Sequence, residues 1–247
     1  MKRSPDAENI AVVNLDCEGS VKAAENTCAE TYYFSIKQKT DFYADSIDLS
    51  DGYGKFDLHF RDSAVLRGVK LSVPGIHNVD DAVAAAAAAY LTGISPELIK
   101  HGLESFTGAA RRFEKLGEWN GAVFVDDYAH HPDVINATLT AAMKLPFERV
   151  FCVFQPHTYS RTYALLDDFA KALSLADKVI LSEIYPAREI NTTGVSSADI
   201  VSRMKNAEHI PAFADITESL RSKVGKGDLV ITMGAGEAYK AARGLGI

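Results

Sequence analysis

Residues 123–132 read Val-Phe-Val-Asp-Asp-Tyr-Ala-His-His-Pro. A β-branched and aromatic run stops at two carboxylates, a phenol and two imidazoles, and the proline opens a helical pattern that continues to Lys144. This is the layout of a strand end, a βα loop and a helix N-terminus, and open parallel sheets bind their ligands at that edge. Folding alone gives no reason to crowd Asp126, Asp127, Tyr128, His130 and His131 beside an apolar strand. The loop predicts groups that hydrogen-bond hydroxyls, orient an amine or move a proton.

Working outward, strands are expected at 121–126, 149–154, 178–184, about 209–213 and 228–233, with helices at 132–144, 161–175, 197–206, 215–223 and 236–243. Continuous apolar strands interleaved with helices mean a parallel sheet covered on both faces. Upstream, Ile10 to Val13 and Thr31 to Ile36 read as strands around a helix from Gly19 to Ala29. From Asp41 to Val73, alternating stretches separated by Asp51-Gly-Tyr-Gly and Arg67-Gly read as antiparallel hairpins. An alanine-rich helix from Val79 to Leu91 follows, then one with Ser95 as cap and Pro96 in its first turn, to Ser105. Gly108 to Phe113 reads as a connector. The expectation is two α/β domains, 1–108 and 109–247, the first with antiparallel hairpins and the second mostly parallel and Rossmann-like.

Composition sets bounds. The 247 residues are 47% hydrophobic and 24% charged, with net charge -7. No basic cluster suggests nucleic acid and no apolar run reaches a membrane span. The charged start has no apolar stretch behind it, which argues against an export signal. Three cysteines (Cys17, Cys28, Cys152) in no metal spacing fit free thiols and a cytoplasmic setting.

Further candidate groups follow the later strands. Gln155-Pro-His-Thr-Tyr-Ser-Arg-Thr brings His157 and Arg161, and a guanidinium fork matches a carboxylate or phosphate. Tyr185-Pro-Ala-Arg-Glu brings Arg188. Met233-Gly-Ala-Gly-Glu permits close backbone approach, but Tyr239 stands where G-x-G-x-x-G needs its third glycine, so a tight turn reads better than a dinucleotide site. His77, Asn78, Asp80 and Asp81 crowd the start of the alanine-rich helix, more than capping requires. Arg111 and Arg112 lie in the connector, where paired arginines can reach ligand phosphates but are ordinarily solvated. No G-x-x-x-x-G-K-[ST] occurs anywhere.

Taken in order, Gly75-Ile-His-Asn with the alanine-rich helix, Gly108-x-x-Arg-Arg-Phe-Glu, Asp126-Asp-Tyr-Ala-His-His-Pro, Gln155-Pro-His-Thr-Tyr-Ser-Arg-Thr, Tyr185-Pro-Ala-Arg-Glu and Thr232-Met-Gly-Ala-Gly closely resemble the Mur ligases of peptidoglycan precursor synthesis. The resemblance spans nearly the whole chain. It implies the later part of a central ATP-binding domain followed by a C-terminal Rossmann-like domain, with the UDP-sugar domain, the P-loop and most Mg2+ ligands lying outside this sequence. It implies ATP-dependent amide formation through an acyl phosphate, with ATP and Mg2+ as cofactors and UDP-N-acetylmuramate and L-alanine as substrates. His77, Asn78 and Asp81 would lie on the adenine side; Arg112 and Asp127 would hold nucleotide phosphate or ribose. Tyr128, His130, His131, His157 and Arg188 would shape the amino-acid pocket, and Arg161 would pair with the amino-acid carboxylate, His130, His131 and Arg161 acting in the chemistry. No metal ligand is assigned on this chain. Asp81 departs from the pattern, because relatives commonly carry Asn there and an ionised Asp can only accept. Without the P-loop the chain is expected to be inactive alone, either needing a missing N-terminal half or serving as a non-catalytic amino-acid-binding or regulatory module. A dinucleotide oxidoreductase is the remote alternative.

Overall fold

The computed structural model describes residues 9–247, so the reading of the charged start lies outside the described residues. They form two compact units, one ending at Thr107 and one beginning at Gly108.

The first unit comprises β1 (Ile10–Asn14), α1 (Glu18–Ala24), β2 (Glu30–Ser35), β3 (Phe42–Asp48), β4 (Tyr53–Phe60), β5 (Ser63–Pro74), α2 (Ile76–Leu91) and α3 (Pro96–Ser105). The sheet runs β1-β2-β3-β4-β5; the first three strands are parallel and the last three form an antiparallel meander. Helix α2 buries Val79, Ala82, Val83, Ala86 and Ala87, a stripe at i, i+3, i+4, i+7 and i+8. Its alanines let the helix approach a sheet core of Phe42, Phe56, Leu58 and Val69 closely. The Ser95 Oγ accepts the Leu98 N–H and caps α3.

Two details differ from the sequence reading. Helix α1 stops at Ala24 rather than Ala29. Arg67-Gly68 is not the turn between the last strands: that turn is Arg61-Asp62, with Arg61 at φ 51°, and Gly68 sits inside β5 at φ 57°. The pairing steps from Phe56–Val69 to Leu58–Leu66, so Arg67 and Gly68 together face Asp57 in a bulge. The Asp57 Oδ1 accepts the Gly68 N–H at 2.6 Å.

The second unit comprises β6 (Glu114–Trp119), β7 (Ala122–Asp127), α4 (Pro132–Ala142), β8 (Arg149–Phe154), α5 (Tyr159–Ala164), α6 (Leu166–Leu173), β9 (Lys178–Leu181), α7 (Ser197–Val201), β10 (Ala207–His209), α8 (Phe213–Lys223), β11 (Asp228–Met233) and α9 (Lys240–Arg243). Its sheet runs β10-β9-β8-β11-β7-β6, parallel throughout except for β6. The Rossmann-like, mostly parallel expectation is therefore met. Phe124, Phe151, Val153, Ile180 and Val230 share a core with Ile216 and Leu220 of α8 and Ala241 and Ala242 of α9.

Strand β6 was absent from the sequence reading, although Asn120-Gly121 carries its signal. Both residues have positive φ (50° and 77°), as the tight turns that join antiparallel strands require. The expected helix 161–175 breaks at Leu165 into α5 and α6. The last helix shrinks to α9, because Gly234 to Tyr239 forms loop first. The strand expected at 209–213 lies at 207–209 instead, since Phe213 already starts α8.

Gly54 tests the closeness of sheet and helix in the first unit. A Cβ there would stand 2.4 Å from the Val79 Cγ2, in a fully buried side chain that cannot swing away. Gly54→Ala should therefore destabilise the first unit by about 1–3 kcal/mol through overpacking, read as a lowered urea midpoint.

Candidate active site

Because β7, β8, β9 and β11 are parallel, the loops that follow them emerge on one edge of the sheet. Backbone hydrogen bonds stitch these loops together. The Gly234 N–H donates to the Asp127 carbonyl (3.0 Å) and the Gln155 N–H to the Met233 carbonyl (3.0 Å). The Tyr185 N–H donates to the Pro156 carbonyl (2.8 Å), and the Thr158 N–H to the Tyr185 carbonyl (2.9 Å). The Gln155 side chain adds a bond from the Glu237 N–H to its Oε1 at 2.6 Å.

These approaches account for the glycines after β11. A Cβ on Gly234 would lie 2.6 Å from the Gln155 carbonyl oxygen, and one on Gly236 2.2 Å from the Gln155 Oε1. The two glycines let one loop pack on another, as a tight turn requires. Tyr239, in the third position, carries the guanidinia of Arg111 and Arg243 over its ring at 5.6 and 4.8 Å. A dinucleotide fingerprint is not what this loop is built for.

Asp126 is 2% exposed. An ionised carboxylate in that position needs partners. The Thr232 Oγ1 donates to its Oδ1 at 2.7 Å and the Arg111 Nε to its Oδ2 at 2.8 Å. Arg111 reaches further, its Nη2 donating to the carbonyls of Gly234 (2.7 Å) and Gly236 (3.3 Å). Its guanidinium lies 4.8 Å from the centre of the Tyr128 ring. Arg111 is thus an internal clamp, the site residue that sequence reasoning missed. The signal was the positive charge close in sequence to an aspartate at the end of an apolar strand. Arg112, read as the nucleotide contact, is exposed. Asp127 braces the loop, its oxygens accepting the Phe113 N–H (3.0 Å) and the Ala129 N–H (2.8 Å).

The remaining candidates form a row of rings. Tyr128 meets His130 edge-on at 5.4 Å, His130 lies 6.3 Å from His157, and His157 stacks on Tyr185 at 5.4 Å. Thr158, next to His157, is held at φ 70°, a costly conformation for a β-branched residue. Arg161, on the first turn of α5, has a buried Nη1 with no hydrogen-bond partner among the described residues, and the same holds for the Nδ1 of His157. Glu189 reaches the same loop, accepting the Ser160 N–H at 2.8 Å and its hydroxyl at 2.5 Å. Those bonds hold its carboxyl below the usual range, with Arg161 adding a smaller push. Burial, then the Arg161 guanidinium and the neighbouring His130, push the His157 imidazole down. Two sequence candidates stand apart from the row. His131 opens α4 and lies beside Asp133 at 3.6 Å. The exposed Arg188 side chain makes no hydrogen bond or ion pair among the described residues.

In the first unit, Asn78 at the start of α2 donates its Nδ2 to the Pro74 carbonyl at 2.7 Å, and His77 lies 3.2 Å from the same nitrogen. Asn78 therefore has its Oδ1 to offer a ligand, an acceptor suited to an exocyclic amine. Asp81 is exposed on the following turn. Among the described residues no group of three or more His, Cys, Asp or Glu could hold a metal ion. No helix among the described residues is long and apolar enough to cross a membrane.

A cavity of about 490 Å3 opens at the opposite edge of the second sheet, lined by Arg149, Lys178, Lys205, Glu208 and Lys223 among others. Its charge is largely structural. Arg149 grips the buried Asp228 through two bonds of 2.8 and 2.7 Å, and Lys223, in the last turn of α8, pairs with Glu208. The buried, unpartnered His157 Nδ1 and Arg161 Nη1 lie at the loop edge instead.

The His157 environment has a pH signature. A base whose folded-state pKa lies below its ordinary value near 6.5 binds fewer protons folded than unfolded, so stability falls as pH drops through that value. Urea unfolding at about pH 5.5 and about pH 7.5 should show this loss in the parent chain and a smaller one in His157→Gln.

Comparison with known proteins agrees with the geometry. A family model for the Mur ligase middle domain matches residues 1–89, and one for the Mur ligase glutamate ligase domain matches residues 111–236. A UDP-N-acetylmuramate–L-alanine ligase from Caldicellulosiruptor saccharolyticus is 46% identical over 93% of this chain and 51% of its own length. The UDP-N-acetylmuramate–alanine ligase MurC of Thermotoga maritima superposes with a TM-score of 0.73 at 27% identity, over 87% of this chain and 47% of that one. MurF ligase from the same organism, in complex with ADP, has a TM-score of 0.72 at 20% identity over 97% of this chain and 53% of that one, a likeness of fold. The chain spans about half the length of the curated relatives it matches. It belongs to the Mur ligase family, and carries that family's middle and C-terminal domain types.

Proposed function

We propose that this chain supplies the amino-acid site and part of the nucleotide site of an ATP-dependent ligase joining L-alanine to UDP-N-acetylmuramate. The observation that carries this reading is the pair of buried, unpartnered nitrogens: Arg161 Nη1 and His157 Nδ1, on one segment of the second unit. Leaving a buried charged donor unpaired costs a folded protein stability, and a ligand carboxylate supplies what it lacks. The likeness to alanine ligases supports L-alanine as that ligand.

In the reaction, ATP supplies a phosphoryl group that activates the muramate carboxyl. The amine of L-alanine, once it has lost a proton, attacks the acyl carbon; the amide bond forms and phosphate leaves. The residues here bind and orient the amino acid: Arg161 and His157 take its carboxylate, while His130 and Tyr128 flank the amine. Asn78 would accept from adenine through its Oδ1, Asp81 would lie beside it, and Arg112 would face phosphate. The phosphate cradle and Mg2+ ligands would come from outside this sequence, which fits the absence of a P-loop and the half-length match to relatives. A cytoplasmic setting follows from those substrates.

The same absence favours the second reading, an amino-acid-binding module without catalysis. ADP release should be measured with UDP-N-acetylmuramate, L-alanine, ATP and Mg2+, using this chain alone and with the N-terminal half of a related ligase. Activity only in the mixture is the expected result; silence in both, with L-alanine still bound, would favour the module. Arg161→Ala should weaken L-alanine binding by about ten- to a hundredfold in calorimetry, and an unchanged affinity would remove Arg161 from the site.

A further inference from the structure

Two hydrogen bonds in series determine how His130 presents its ring. The His130 Nδ1 lies 2.9 Å from the Tyr128 carbonyl oxygen. A carbonyl can only accept, so this bond requires the proton on Nδ1, and the neutral ring then carries its lone pair on Nε2. Tyr128 is held in turn. Its N–H donates to the Arg111 carbonyl at 2.7 Å, and its ring lies under the Arg111 guanidinium. Arg111 has a left-handed backbone, φ 58°, which a non-glycine residue adopts only when its surroundings hold it there. Those surroundings are the side-chain bonds to Asp126 and to the Gly234 and Gly236 carbonyls, together with the Arg111 N–H bond to the Glu114 Oε2 at 2.7 Å.

We propose that Arg111 is a positioning residue which, through Tyr128, holds His130 in the Nδ1–H tautomer and so leaves Nε2 as the proton acceptor for the incoming amino acid. The step is a simple transfer: the ammonium of the amino acid gives one proton to Nε2, yielding the free amine and an imidazolium whose Nδ1–H bond to Tyr128 persists. The tautomer follows from geometry alone. The identity of the proton donor rests on the amino-acid reading given above.

Long-range 1H–15N spectra of the imidazoles in the intact chain provide the test, because a purely structural role for Arg111 would not alter a tautomer. His130 of the parent chain should show a single Nδ1–H form. Arg111→Lys, which keeps the charge on Asp126 but lacks the fork, should give a mixture of tautomers. The paired change Arg111→Met with Asp126→Asn, which leaves no buried charge unmatched if the single variant fails to fold, should do the same. Amides of β8 and α8 should keep their shifts in the variants. L-alanine affinity should fall about tenfold in Arg111→Lys. An Nε2–H ring in the parent chain, or an unchanged tautomer in the folded variants, would overturn the proposal. Failure of the parent chain to bind L-alanine would sink the amino-acid reading and the proton step with it, while the spectra would still decide whether Arg111 sets the tautomer.

Discussion

A carboxylate buried at the end of β7 constrains everything built around it. Asp126 has almost no contact with water, and an isolated charge there would cost several kcal/mol. The chain answers with Thr232 from the neighbouring strand and Arg111 from the segment preceding β6. Satisfying one acid thereby draws the connector end, the β7–α4 loop and the β11–α9 loop to one point. Arg111 has donors left over, and they take the Gly234 and Gly236 carbonyls. The loops that carry the candidate chemistry are consequently shaped by one ion pair and the carbonyls it holds.

The second unit divides its polar groups between its two sheet edges. At the starts of β8 and β11, Arg149 and Asp228 satisfy each other. Where the strands end, backbone bonds join loop to loop, and the side chains left with unmet hydrogen-bonding capacity among the described residues include His157 and Arg161. The strained Thr158 lies between them in sequence. Strain and unpaired buried donors persist only where surrounding structure enforces them, and both are typical of sites awaiting a ligand.

Much of this could be read in the sequence. Alternating apolar strands and helices specify a parallel sheet, because only a sheet covered on both faces has continuously apolar strands. Knowing that the loops follow parallel strands places Tyr128, His130, His157 and Arg161 on one edge. The errors had local causes. The Asn120-Gly121 turn announced a hairpin, but Glu114 to Trp119 is polar enough to hide an edge strand. Arg67-Gly68 looked like a turn because a bulge glycine and a turn glycine satisfy the same backbone requirement. The helix after β8 read as continuous because nothing in its apolar spacing marks the break at Leu165.

The roles of individual charges were beyond the reach of pattern. Adjacent arginines at 111 and 112 are equivalent in sequence, yet the fold holds one half-buried guanidinium against Asp126 and leaves the other exposed. Adjacent histidines at 130 and 131 part in the same way, one joining a row of rings and the other opening α4. The sequence by itself determined the strand and helix order, the edge of the sheet where the candidate groups collect, and the residue types found there. Only the tertiary structure decided which of those groups are committed to one another and which are left with donors to offer. Periodicity dictates which way an element faces, but the pairing of charges depends on which strands become neighbours, and β11 comes to lie between β7 and β8 from far along the chain.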